Sequence, residues 1–289
     1  MRKLLVLFLL IGSVAWAIPL GDAPHGVSLK EKKFAELSDQ NFSELGTKAL
    51  AIAPAKWRHA ETDNFIIHYR ATPEAFRVVH EIEFDLWFAA KTLGVSKDRY
   101  TRKSHVFIFQ NEKEWQEFHS KTNVPEWSAS FAHGDELFLH VGGVGEGFDS
   151  HLLAHETTHA VVARIYPRHT WPMWLNEGFA EYIGGASVAA RKGVYLRHAQ
   201  AALQHASMPL DQLTALTQYP TDTKQVYALY ESSEKLVRFI MGAFPQDRFT
   251  RFIDTVLTGE TLEKAVLQVY GDKVSDFATF KRNYERFVK

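Results

Sequence analysis

Two short stretches that must meet in space constrain this chain more than anything else in it. His155-Glu156-Thr157-Thr158-His159 is followed, after seventeen intervening residues, by Glu177 within Trp174-Leu175-Asn176-Glu177-Gly178-Phe179-Ala180-Glu181-Tyr182. On a helix, residues four apart project from nearly the same face. His155 and His159 can therefore turn their imidazoles toward one point, while Glu156 lies about 100° round the axis. Two imidazoles so placed suit a divalent ion, and a glutamate off their face suits a base rather than a ligand. A tetrahedral catalytic zinc takes three protein ligands and leaves a fourth position for water, so one more donor must come from another element.

Glu177 is the natural third donor. The pattern His-Glu-x-x-His-x-x-Gly-x-x-His is excluded, because Val162 and Ile165 stand where it needs Gly and His. His169 is nearer in sequence, in Pro167-Arg168-His169-Thr170, which reads as a turn ahead of the next helix. Pro172 suits the first turn of that helix, with Thr170 or the residue after it near the cap. Glu177 and Glu181 then share a face one turn apart. A solvated acidic face is the plain reading of such a pair. The neighbours Trp174, Leu175, Phe179 and Ile183, however, make the helix largely buried, where unpaired carboxylates are costly. A metal would relieve Glu177, and Glu181 hydrogen-bonded to a liganding imidazole would fix its tautomer and orientation. Gly178, with no side chain, would let this helix approach the histidine helix closely.

The two motifs together resemble the gluzincin branch of the zincin metallopeptidases. His-Glu-Thr-Thr-His-Ala-Val is similar to the thermolysin helix, and Trp-Leu-Asn-Glu-Gly-Phe-Ala to the corresponding helix of zinc aminopeptidases. The overall likeness is to the peptidase-MA-like group of bacterial exported proteins. The resemblance implies an α+β, thermolysin-type fold: a mixed-sheet N-terminal lobe, a central zinc helix and a helical C-terminal lobe. It also implies hydrolysis of a peptide or protein substrate, with one Zn2+ per chain held by His155, His159 and Glu177. Glu156 is then the general base, and Glu181 the supporting carboxylate behind a ligand. The chain departs from aminopeptidases in having no Gly-Ala/Met-Met-Glu-Asn segment upstream, the feature that holds a free amino terminus. The alternative is a zinc-containing binding or scaffold protein without turnover; the intact Glu156 speaks against it, since a structural site needs no base there.

Arg2 and Lys3 precede the apolar run Leu4 to Ile11, and Ala15-Trp16-Ala17 offers small residues where a signal peptidase cuts. Residues 1–17 therefore read as a secretory signal, leaving a periplasmic or secreted protein. The apolar stretch is short for a bilayer span, so no stable membrane insertion is expected after cleavage. The chain has no cysteine, which removes disulfides, thiol catalysis and zinc-thiolate sites together. With 33 Lys and Arg against 34 Asp and Glu and no basic run, nothing suggests a nucleic-acid surface. No segment declares an oligomeric state. Ser28 to Ala49 carries apolar residues at roughly helical spacing and Ala53-Pro54-Ala55 looks like a linker. Residues 18–60 are accordingly expected as an N-terminal helical segment and linker. Residues 61–289 are expected as the catalytic domain, with an α/β lobe over 61–165 and a helical lobe over 166–289.

Within that domain, Phe65 to Tyr69 and His105 to Phe109 read as strands, and Pro73 to Leu93 as a helix closed by Gly94. A short helix runs through Trp115 and Phe118. Ala129 to Ala132 and Leu137 to Val141 flank His133-Gly134-Asp135 as a hairpin. In gluzincins the strand before the zinc helix borders the cleft, so by resemblance Leu137 to Val141 is the expected substrate-binding edge, an ordinary internal strand being the other reading. The glycines from Gly142 to Gly147 lack the order of a nucleotide loop and any Lys-Ser/Thr, and read as a flexible loop ending in a cap at Asp149 or Ser150. His151 lies eight residues from His159, about 12 Å along a helix, so it reads as an end-of-helix or cleft histidine. Val226, Tyr230, Ser233, Val237, Ile240, Met241 and Phe244 mark the stripe of a helix that Pro245 ends. By likeness to aminopeptidase relatives, Tyr230 is the expected oxyanion donor, a core tyrosine being the equal alternative. Helices around Phe249 to Leu257, Thr261 to Tyr270 and Ser275 to Val288 complete the chain.

Overall fold

Strands whose residues are apolar on both faces need cover on both sides, and this chain has two. Phe65–Tyr69 and Ser104–Phe109 are buried at every position and lie side by side in parallel at the centre of a six-stranded sheet. The computed structural model describes residues 18, 20–24, 26–122, 124, 128–142, 148–193 and 207–288. The expected signal, residues 1–17, and all but the first residue of the glycine-rich run at 142–147 lie outside them.

The strands are β1 (Lys30–Lys32), β2 (Arg58–Glu61), β3 (Phe65–Tyr69), β4 (Ser104–Phe109), β5 (Ser130–His133) and β6 (Glu136–His140). Their order across the sheet is β1-β2-β3-β4-β6-β5. β3, β4 and β6 run parallel; β1, β2 and β5 are antiparallel to their neighbours. The helices are α1 (Glu44–Ala51), α2 (Thr72–Thr92), α3 (Glu112–Ser120), α4 (Ser150–Ile165), α5 (Met173–Arg191), α6 (Leu210–Ala215), α7 (Thr223–Ala243), α8 (Phe249–Leu257), α9 (Leu262–Tyr270) and α10 (Phe277–Phe287).

Alternation along the strands divides the core in two. Ile67, Val106, Ile108, Leu137 and Leu139 face α2 and α4 and join one large cluster with the helical lobe. Phe107, Phe109 and Phe138 face the other way and pack against Trp115 and Phe118 of α3 and Ala49 of α1. At the far end of α4, buried Arg164 donates to the backbone carbonyls of Asn64 (3.0 Å) and Tyr100 (2.5 Å), tying the helix to the base of the sheet. The molecule is a mixed α+β structure, as the sequence implies. Among the described residues no helix is long and apolar enough to cross a membrane.

Three local expectations are corrected. The hairpin forms with its turn at Gly134, whose φ of +59° favours glycine, but its arms dock the opposite way. β6 pairs with β4 and is internal, so the edge on this side of the sheet is β5, Ser130–His133, and not Leu137 to Val141. The stretch from Ser28 to Ala49 is not one helix: it contributes strand β1 to the sheet, then a loop, and only then α1. Pro172 occupies the cap of α5 itself rather than its first turn, and no side chain caps that helix.

Candidate metal centre

α4 is laid against the sheet by its own sequence. Asp149 caps it, its Oδ1 accepting from the backbone of His151 (2.8 Å) and Leu152 (3.2 Å). The buried hydroxyls of Thr157 and Thr158 donate to the carbonyls of Leu153 and Ala154, both at 2.7 Å, so neither needs water. α5 turns back after Pro172 and runs against α4, with α7 on its other side. Gly178 permits that second packing rather than the expected one: a Cβ there would lie 2.3 Å from the carbonyl oxygen of Ser233 on α7. The glycine facing α4 is Gly184, where a Cβ would lie 3.1 Å from His151 Nε2.

These helices bring His155, His159 and Glu177 to one point. The Nε2 atoms of the two imidazoles are 2.9 Å apart, and Glu177 Oε2 is 3.5 Å from each. Zinc bonds of about 2.0–2.2 Å at tetrahedral angles separate ligand atoms by roughly 3.3–3.5 Å, so the three atoms already lie near the spacing an ion requires. Among the described residues this is the one group of three or more His, Asp or Glu side chains with ligand atoms so gathered. His169 stays in the turn between α4 and α5, its backbone N–H bonded to Tyr166 O, and is not part of it.

Electrostatics make the same case for a cation. Glu177 is 1% exposed, and its Oε2 is buried without a hydrogen-bond partner. Burial alone would raise its carboxyl, yet His159 and His155 outweigh burial and hold it well below the usual carboxylate range. Burial likewise works against a proton on His155, but Glu177 and Glu181 override it and push that imidazole well above its ordinary value. The cluster thus draws positive charge inward, a role a divalent ion fills better than a shared proton. Glu181 Oε1 is 3.0 Å from His155 Nδ1 and Oε2 is 3.5 Å from His151 Nε2. It therefore stands beside His155 on its Nδ1 side, and His151 stands beyond it at the helix end.

The carboxylate of Glu156 reaches the sheet edge while remaining close enough to sense His155 and His159. Its Oε2 accepts a 2.9 Å hydrogen bond from the backbone N–H of Ala132 on β5. Burial raises its carboxyl above the ordinary carboxylate value against the pull of His155 and His159. Tyr230 on α7 packs edge-on against His155, ring centres 6.0 Å apart, and lies close enough to sense the charges of Glu177, Glu156 and Glu181. Burial raises its hydroxyl well above the ordinary value, so it remains a donor.

One residue of the site carries no sequence signal. Tyr219 lies between α6 and α7 with 52% of its surface exposed, yet its hydroxyl donates a 2.5 Å hydrogen bond to Glu177 Oε1 and contacts Tyr230. Glu177 is thereby divided: one oxygen is held by Tyr219, and the other faces the imidazoles. Only packing of the loop brings Tyr219 there; nothing in Gln218-Tyr219-Pro220 announces it.

A parallel-centred sheet with an antiparallel edge strand, an edge-facing glutamate and a His-His-Glu cluster between two helices define a metallopeptidase-like architecture. The chain belongs to the peptidase MA superfamily, whose sequence pattern matches residues 90–289. The match runs from the end of α2 to the C-terminus and contains every site residue above. No curated protein matches the chain.

Proposed function

We propose that this protein is an exported zinc-dependent metallopeptidase of the gluzincin, thermolysin-like type, acting on a peptide or protein substrate. The observation that carries the reading is the convergence of His155, His159 and buried, unpartnered Glu177 Oε2, with Glu156 of the same helix beside them and bonded to the edge strand. Residues 1–17 support export through their charged, apolar and small-residue sequence.

His155, His159 and Glu177 would hold one zinc ion, which supplies Lewis-acid activation of a water and of the substrate carbonyl. Glu156 takes the proton of the attacking water and delivers it to the leaving amine. Tyr230 donates to the oxygen on which negative charge develops. Glu181 keeps His155 oriented through Nδ1, leaving Nε2 for the ion. On β5, alternation turns Ser130 and Ala132 outward, and an extended substrate adds beside them with its backbone next to Glu156.

The test is Glu156→Gln. It should lower peptide hydrolysis by roughly 10²–10⁴-fold while the protein still binds one zinc, measured by elemental analysis beside a quenched-peptide assay. Wild-type turnover in that variant overturns the mechanism. A folded, zinc-loaded wild type that cuts no peptide in a broad library points instead to a scaffold.

A further inference from the structure

Asp85 lies within α2 with no exposed surface, and neither of its carboxylate oxygens closes a hydrogen bond. A buried acid so placed requires a cation or a proton. One cation is near, and it is shared. Arg191, the last residue of α5, sets its Nη1 2.9 Å from Glu81 Oε2 and 3.7 Å from Asp85 Oδ1. Glu81 and Asp85 stand one turn apart on the same face of α2, so both reach the one guanidinium. The arginine leans over the ring of Phe84, 5.8 Å from its centre, on the same stretch of helix.

Glu81 carries the connection onward to the metal centre. Its Oε1 accepts a 3.2 Å hydrogen bond from Ser150 Oγ, on the first residue of α4. α2 therefore holds α4, which bears His155 and His159, through Ser150, and holds α5, which bears Glu177, through Arg191. Both ligand-bearing helices are tied at one glutamate.

The second acid disturbs this clamp only when it is charged. Among the described residues, the groups that act on Asp85 are Arg191 and Ser187 of α5 and Glu81 of its own helix; α4 brings only uncharged Ser150 to Glu81, and β3 turns apolar Ile67 toward α2. Burial outweighs Arg191 and Ser187, Glu81 adds to burial, and the carboxyl is pushed up to about 7. While Asp85 keeps its proton, Arg191 belongs to Glu81, in keeping with the shorter of the two distances. Once ionised, it competes for the guanidinium and repels Glu81.

We infer that Asp85 is a positioning residue for the metal centre whose proton controls the α2 clamp: neutral Asp85 leaves Arg191 to Glu81 and keeps α4 and α5 in place, and ionised Asp85 draws Arg191 away and loosens the zinc site. The inference rests on the metal-binding half of the proposed function and not on peptide cleavage. The same proton gives a sign for stability. The folded chain keeps a proton that an ordinary carboxyl releases near 3.8, so this contribution is fully present below that pH and is lost as pH rises toward 7.

Zinc affinity and urea unfolding are measured from pH 5 to pH 8 for the wild type and for Asp85→Asn, which keeps the shape and is always neutral. The ratio of the two zinc affinities removes the titration of the ligands, which both proteins share. The two should bind zinc alike at pH 6, and the wild type should bind roughly three- to tenfold more weakly than the variant at pH 8. Without metal, the unfolding constant of the wild type should rise relative to that of the variant by up to about tenfold per pH unit between pH 5 and pH 7, and level off above. Glu81→Gln is the second variant: with Arg191 no longer shared, Asp85 ionises more readily and both steps should move to lower pH. An affinity ratio equal at pH 6 and pH 8, parallel unfolding profiles, or steps unmoved by Glu81→Gln overturns the inference. Zinc binding with these steps but no peptide cleavage keeps it and sinks the peptidase reading; cleavage without the steps does the reverse. No zinc bound at any pH sinks both.

Discussion

Among the described residues histidines meet in two places, and the two groups behave oppositely. On α4, His155 faces Glu177 and Glu181 and its imidazole is raised well above its ordinary value despite complete burial. Across the sheet, His59, His68 and His105 stand on β2, β3 and β4 and hydrogen-bond one another in a row. His59 Nδ1 is 2.9 Å from His68 Nδ1, and His68 Nε2 is 3.0 Å from His105 Nδ1. Burial pushes His68 well below its ordinary value, and no carboxylate offsets it. The side chain is the same, and so is the burial. What differs between His155 and His68 is whether acids face them: beside Glu177 and Glu181 an imidazole can help gather a cation, and with none beside it His68 serves as a neutral polar strut between strands. Spread over three strands, the row cannot bring three ligand atoms to one point, and only the α4 group does so among the described residues.

The comparison makes Glu177 the decisive acid, and its removal should have the largest effect. Glu177→Gln keeps the shape but deletes the charge. Zinc affinity, read by competition with a chelating dye, should fall by more than about 100-fold, beyond what supporting residues contribute. Unchanged affinity would show that two imidazoles suffice, and the contrast between the two histidine groups would lose its basis.

Much of this centre is legible in the sequence because helical periodicity alone places it. Residues four apart on α4 give the imidazole pair, and Glu177 and Glu181 follow from the same rule on α5, whose apolar neighbours announce its burial. What periodicity does not carry is which surfaces dock. The two arms of the β5–β6 hairpin alternate equally well, and pairing with β4 decides which becomes the edge. Gly178 reads as a contact point, but its partner is α7. Strand β1, Lys-Glu-Lys, has no apolar alternation and exists because β2 offers it an edge. The histidine row is invisible for the same reason: its members are 9 and 37 residues apart in sequence.

Tyr219 tests how finely the carboxylates are held. Its hydroxyl takes Glu177 Oε1 and leaves Oε2 to the imidazoles. Tyr219→Phe should weaken zinc binding roughly tenfold, the lower end for a residue that orients a ligand, while leaving thermal stability of the metal-free protein nearly unchanged. Tyr230→Phe provides the contrast, since a donor to the developing oxyanion should reduce kcat and leave metal affinity alone. If Tyr219→Phe instead lowers kcat at full zinc occupancy, the two tyrosines have exchanged roles.

The smallest effect belongs to the row on the sheet, and its sign is opposite to that of a paired histidine. Because His68 is held below its unfolded value, the unfolded chain binds a proton below about pH 6.5 that the folded chain refuses. Stability is therefore intact above that pH and falls as pH drops through it, by about 1.4 kcal/mol per pH unit for one such group. The surroundings place this slope mainly on His68. Burial lowers the other two as well, but less: at His59 Arg70 adds to it, whereas at His105 it is opposed by Asp39, Asp135 and Glu61 and aided by Arg102. His68→Phe keeps an aromatic ring against Phe107, which stacks on His68 at 4.7 Å between ring centres, and removes the titrating group. Urea unfolding of both proteins at pH 7 and pH 5 should show the variant losing less stability on acidification, by about one proton's worth of slope. The metal site contributes equally to both and cancels in the difference. Equal slopes would mean that the buried row takes up a proton without penalty, and the acids beside His155 would no longer explain why the two groups differ.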